Sequence, residues 1–124
     1  MPTRLFPPAT TATTAAALFL ALTTGLAAPA RADAPAPLTL TLRDHRFTPE
    51  TLTVAAGERF RLRIVNEDGA TEEFDSEDLG VERFITPHSE AVIELGPLQP
   101  GTYSFMGEFH PLTAGGRLLV EARP

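Results

Sequence analysis

Tyr103-Ser104-Phe105-Met106-Gly107-Glu108-Phe109-His110-Pro111, running on to Gly115-Gly116, is the stretch on which the reading of this chain turns. Successive side chains of a strand point to opposite faces, which puts Tyr103, Phe105 and Phe109 on one side and Ser104, Met106, Glu108 and His110 on the other. Proline carries no amide hydrogen, so Pro111 ends the ladder and the strand opens into a loop. Between Met106 and His110 the polar side offers a thioether, a carboxylate and an imidazole, donors that a transition metal takes. The same residues also describe an amphipathic strand with an ordinary polar outer face, and one motif alone does not choose between the two readings.

Outward from this stretch the same period of two recurs. Leu38, Leu40 and Leu42 alternate with Thr39, Thr41 and Arg43, and Phe60, Leu62 and Ile64 alternate with Arg59, Arg61 and Arg63. Ala91, Ile93 and Leu95 form another alternating run, Leu52 and Val54 a short one after Phe47-Thr48-Pro49-Glu50, and Leu118 and Val120 the last. Turn formers separate them, including Ala56-Gly57, Glu67-Asp68-Gly69-Ala70, Thr86-Pro87-His88-Ser89 and Gly96 to Gly101. No segment sustains a helical period. The pattern predicts an all-β domain, an antiparallel Greek-key β-sandwich of seven to eight short strands. Thr71 to Leu79 holds five carboxylates, Glu72, Glu73, Asp75, Glu77 and Asp78, around Phe74. Like charges this dense predict a solvated loop or the start of a short acidic helix, and they also supply hard oxygen ligands.

The first 32 residues are of another kind. Arg4 near the amino terminus, an apolar run from Ala15 to Ala28 and the small-x-small site Ala30-Arg31-Ala32 predict a secretory signal peptide over residues 1–32, cleaved after Ala32. The apolar run is 14 residues long, short of the roughly 20 that a spanning helix needs. Residues 33–37 read as a flexible, proline-containing lead and 38–124 as the domain, so the expected location is the periplasm or the outside of the cell. Without the leader, 8 Arg face 16 acidic residues and the net charge is −8. Such a charge repels nucleic acid and anionic lipid and attracts cations. The chain has no Cys, which excludes disulfides, an iron–sulfur cluster, a Cys nucleophile and thiolate-bound copper. Hydrolytic chemistry is disfavoured as well, because a strand extended from Ser104 to His110 would set them about 20 Å apart at roughly 3.3 Å per residue.

The order of landmarks resembles the cupredoxins. Four of them carry the resemblance: Phe47-Thr48-Pro49-Glu50 ahead of Ala56-Gly57, the strand from Arg59 that ends in Asn66, Pro100-Gly101-Thr102-Tyr103-Ser104-Phe105, and His110 before a Gly-bearing loop and a final strand. The blue-copper site of that family uses a His after the Asn-ended strand, a Cys in Tyr-x-Phe-x-Cys-x-x-His, the second His and a loop Met. Here the first His position falls on Glu72, the Cys position on Gly107 and the Met position near Ala114 or Gly115, so that only His110 matches. The resemblance therefore implies the fold and speaks against a blue-copper electron carrier.

Thr71 to Leu79, Leu95-Gly96-Pro97-Leu98, Gly107-Glu108-Phe109-His110-Pro111 and Asp44-His45-Arg46-Phe47 are more narrowly similar to the cupredoxin domains of bacterial periplasmic iron-uptake systems, the EfeO and FtrB types. That similarity implies copper or iron as the bound metal and a role in oxidising or delivering Fe(II) beside a membrane iron permease. Among the residues, His110 on the loop capping the sandwich is the leading ligand, followed by Glu72 and Glu108. His45 would add a second imidazole, Met106 a weak axial thioether, and Asp75 a carboxylate from the acidic run. Carboxylate with imidazole suits copper(II), iron, manganese or zinc. Two other functions fit the same residues: a metal carrier without redox chemistry, and a metal-free module that docks a transporter through its acidic loops.

Overall fold

The computed structural model describes residues 35–123, together with 3–5, 8–10 and 25. The chain divides into two units, Met1–Ala32 and Asp33–Pro124. The expected signal peptide and the first residues of the lead lie, apart from the few residues just given, outside the described residues. Among the described residues no helix is long and apolar enough to cross a membrane.

The second unit is all-β. Nine strands follow in order: β1 (Leu38–Arg43), β2 (Arg46–Thr48), β3 (Thr51–Ala55), β4 (Phe60–Asn66), β5 (Glu72–Ser76), β6 (Val81–Ile85), β7 (Glu90–Leu95), β8 (Gly101–Met106) and β9 (Gly115–Glu121). They form a four-stranded sheet ordered β2-β1-β4-β7 and a five-stranded sheet ordered β3-β9-β8-β5-β6. The alternating runs of the sequence become these strands with their apolar positions inward: Leu40 and Leu42 on β1, Leu62 and Ile64 on β4, Leu118 and Val120 on β9 are all buried. Phe47, Phe74 and Phe105 bring the two sheets together, with ring centroids 5.3 Å apart for Phe47 and Phe105 and 5.2 Å for Phe74 and Phe105. Such aromatic contacts add to what area burial alone supplies.

Two expectations are corrected. The sheets are mixed rather than antiparallel, because β1 pairs with β4 and β3 with β9 in parallel. The chain changes sheets between β2 and β3, so that strands entered from the same end become neighbours. The acidic run also folds as a strand. β5 pairs with β6 from Glu72↔Ile85 to Ser76↔Val81, with Glu72, Phe74 and Ser76 on one face and Glu73 and Asp75 on the other. Phe74 is fully buried, and its apolar surface stabilises the strand that the charges around it conceal.

Gly96 shows how tightly one end of the sandwich closes. It has φ +87°, and a Cβ there would lie 2.4 Å from the carbonyl oxygen of Glu58, so only glycine fits this left-handed, close-packed position.

Candidate metal centre

Three segments meet at the other end of the fold. The first is the β1–β2 hairpin. Arg43 pairs with Arg46, which leaves Asp44 and His45 as a two-residue turn with φ +51° and +56°, the backbone of a type I′ turn. The second is the start of β5, where Glu72 lies on the core-facing side and is 0% exposed. The third is the loop after β8. Its backbone closes on itself through Gly107 N–H to Ala114 O at 2.9 Å, His110 N–H to Gly107 O at 3.0 Å and Ala114 N–H to His110 O at 2.8 Å, and it turns His110 back over the sheet end.

His45, Glu72 and His110 come together there. Glu72 Oε1 is 2.8 Å from His45 Nδ1, and Glu72 Oε2 is 3.2 Å from His110 Nδ1. The two imidazoles stack on each other with centroids 3.5 Å apart and planes 18° apart. One ligand atom from each of the three residues lies within 4.8 Å of the other two. Each Nδ1 lies within hydrogen-bond distance of one Glu72 oxygen, so a proton carried by either nitrogen points at the carboxylate. A metal with bonds of about 2.0–2.2 Å has neighbouring ligand atoms about 3 Å apart, so the observed separations suit replacement of such a proton by one ion. Two imidazoles and a buried carboxylate form a hard to borderline donor set that fits copper(II), iron(II) or zinc(II).

Polar groups behind the three residues hold them in place. Asn66, at the end of β4 and 1% exposed, donates from Nδ2 to Ala70 O at 2.8 Å and Ile85 O at 3.0 Å, and its Oδ1 accepts Asp68 N–H at 2.9 Å. Asp68 in turn accepts Asp44 N–H at 2.7 Å and His45 N–H at 3.0 Å. Burial pushes the Asp68 carboxyl up, but those backbone donors from His45 and Asp44, followed by the neighbouring His45 and Glu72 side chains, outweigh it and hold the group below its ordinary value.

The remaining sequence candidates go elsewhere. Asp75 is an odd number of residues from Glu72 and so faces the opposite side of β5; Met106 is its cross-strand partner and is 43% exposed. Glu108 was expected on the His110 face by continued strand alternation, but β8 ends at Met106 and the loop turns between them. Glu108 instead lies near Glu73, whose carboxyl rises to about 7 through burial first, then the charge of Glu108 and the hydrogen bond and charge of Glu82, with Asp75 last. In the sequence Asp68 is one residue of the turn Glu67-Asp68-Gly69-Ala70. The sequence signal that points to it is Asp44-His45 itself, a hairpin turn without glycine that needs an outside partner.

Gly107 leaves no room for a side chain at this end. A Cβ at residue 107 would sit 2.8 Å from the Cβ of Ala114, and Ala114 is fully buried. The two positions on which the resemblance places the Cys and, approximately, the Met are in contact with each other, and no side chain fits between them.

A two-sheet sandwich with a His-Glu-His cluster at one end defines a class of small β-proteins with a candidate metal site. The chain belongs to the cupredoxin-like domain family, whose model matches residues 15–120. An uncharacterized protein of Rickettsia prowazekii is 42% identical over 81 residues, which are 65% of this chain and 65% of that protein. The match thus spans just under two thirds of the relative's length. Among solved structures, amicyanin from Paracoccus versutus matches with a TM-score of 0.55 and 20% identity over 73% of this chain and 87% of that one. A Cu-containing nitrite reductase from Thermus scotoductus matches with a TM-score of 0.57 and 22% identity over 80% of this chain and 25% of that one. These two likenesses are of fold.

Proposed function

We propose that this protein binds a transition-metal ion through His45, Glu72 and His110, with copper(II) or iron as the ion. The observation that carries this reading is the Glu72 carboxylate, buried yet offering one oxygen to each of two stacked imidazoles. An enclosed carboxylate that faces two imidazoles and, among the described residues, pairs with no Arg is an arrangement that a divalent ion completes. Membership of the cupredoxin-like family and the copper named for the amicyanin and nitrite reductase neighbours support copper. So does the general affinity order, in which Cu(II) leads the divalent first-row ions at a nitrogen–oxygen site.

The finer reading is assistance to ferrous-iron uptake in the periplasm beside a membrane iron permease, after export through the predicted signal peptide. It rests on the similarity of the segments at Thr71–Leu79 and Gly107–Pro111 to iron-uptake cupredoxin domains, and on the excess of acidic residues, which attracts cations. Copper held there would supply a one-electron acceptor for Fe(II). The chain's own part is to hold the ion with two nitrogens and at least one carboxylate oxygen, without sulfur.

Calorimetric titration of the purified protein with Cu(II) and with Fe(II), beside a His110→Ala variant, tests the binding reading. Saturable binding of one ion per chain that weakens at least tenfold in the variant is expected; no binding above background by the wild type would leave a docking module as the function. Anaerobic addition of Fe(II) to the Cu(II)-loaded protein tests the redox role. Loss of the Cu(II) paramagnetic signal is expected, and its persistence would remove that role while leaving metal binding in place.

A further inference from the structure

The turn that presents His45 does not stand by itself. Asp44 and His45 are consecutive non-glycine residues in the left-handed region, with φ +51° and +56°. Asp and His enter that region more readily than most residues, but two in a row persist only where the surroundings hold them. What surrounds them is one side chain from 23 and 24 residues away: Asp68 Oδ1 accepts the Asp44 N–H at 2.7 Å and Asp68 Oδ2 the His45 N–H at 3.0 Å.

We propose that Asp68 is a positioning residue for the metal site, a clamp on the Asp44–His45 turn that sets the His45 imidazole over His110 and against Glu72. This inference rests on the metal reading above for its functional consequence, but not for its geometry. Both Asp68 oxygens accept backbone N–H groups of the turn, and Asp68 is not among the three residues whose ligand atoms converge, so the carboxylate acts on the turn. Its distance to His45 Nδ1 is 3.6 Å, beyond hydrogen-bond range, whereas Glu72 meets the same nitrogen at 2.8 Å. Asp68 therefore fixes the backbone and leaves the ring to Glu72.

The clamp is itself anchored. The Asp68 N–H donates to Asn66 Oδ1 at 2.9 Å, Asn66 Nδ2 donates to the carbonyls of Ala70, Ile85 and Thr86, and the Asp68 carbonyl accepts the His88 N–H at 3.3 Å. The position of His45 is thus referred to the end of β4 and the β6–β7 turn, through hydrogen bonds that are continuous from one element to the next. His110 reaches the site by a separate route, its own closed loop. Without Asp68, the His45 side of the cluster loses its register while the His110 side keeps it.

Two measurements on the purified protein test this. In the metal-free wild type, nuclear Overhauser contacts between the ring protons of His45 and His110 are expected. In Asp68→Ala they are lost, and the Cu(II) dissociation constant read by calorimetry rises about 10- to 100-fold, the usual effect of losing a partner that orients a ligand. Adding Asp44→Gly to Asp68→Ala brings part of the ring contacts back, because glycine takes the left-handed turn unaided. Asp68→Asn keeps the volume and one acceptor oxygen and falls between wild type and Asp68→Ala; it is the deciding variant if Asp68→Ala does not fold. A folded Asp68→Ala or Asp68→Asn that keeps both the ring contacts and the wild-type affinity, even with a lowered Tm, overturns the proposal. If the wild type takes up no Cu(II) but its ring contacts vanish in Asp68→Ala, the clamp stands and the metal reading falls.

Discussion

Replacing Glu72 by alanine removes the acceptor that His45 and His110 share. The two stacked imidazoles then lose the carboxylate oxygen that each Nδ1 faces, with Asp68 Oδ2 still 3.6 Å from His45 Nδ1. Leaving buried or half-buried donors unsatisfied costs about 1–3 kcal/mol, so urea denaturation of metal-free Glu72→Ala is expected to show that loss, together with abolished ion binding. Gly107→Cys asks the opposite question. Its Cβ would press on Ala114, and overpacking of this kind costs about 1–3 kcal/mol; the variant is expected to fold less stably and to give no intense visible thiolate-to-copper absorption when loaded. At this scale the sequence was informative for a reason. His110 and Glu72 occupy positions that a family pattern marks, and His45 lies at a strand end beside an Asp. Met106, Glu108 and Asp75 were drawn toward the site because residue type shows donor chemistry but not direction. One step along a strand reverses the side that a donor faces, and a turn at Gly107 breaks the count altogether.

β5 is the element that decides whether the cluster exists. It carries Glu72 at its start and Phe74 in the middle, wedged against Phe47 and Phe105. Phe74→Ala would remove a ring that is 0% exposed, at a cost of about 3–5 kcal/mol, and thermal unfolding is expected to show a lower Tm with weaker ion binding in the fraction that stays folded. The strands with apolar alternation, β1, β4, β7 and β9, are legible in the sequence because a half-buried strand must alternate. β5 is not, since the five carboxylates between Glu72 and Asp78 mask one Phe, and Glu72 and Ser76 face inward as polar residues. The parallel pairings β1–β4 and β3–β9 are not legible either. A period of two tells which face is apolar but carries no information on the direction of the neighbouring strand.

For the whole molecule, charge makes stability depend on pH in an unusual direction. Glu73 is 2% exposed, and its carboxyl is raised from 4.5 to about 7. The folded protein therefore binds a proton that the unfolded chain releases between those values, so this contribution is complete below the unfolded value and lost as pH rises through about 7. In the presence of a chelator, Tm is expected to fall between pH 5 and pH 8, and Glu73→Gln to flatten that fall; an equal slope in the variant would place the cause elsewhere. The central claim is that the end of this sandwich holds an ion by two imidazoles and a carboxylate, without sulfur. X-ray absorption at the copper edge of the Cu(II)-loaded protein tests it most directly. The expected spectrum has a nitrogen and oxygen first shell with the outer-shell scattering of two imidazoles, reduced to one in either His45→Ala or His110→Ala. A spectrum with a sulfur neighbour, or one whose imidazole count is the same in the wild type and both variants, would contradict it.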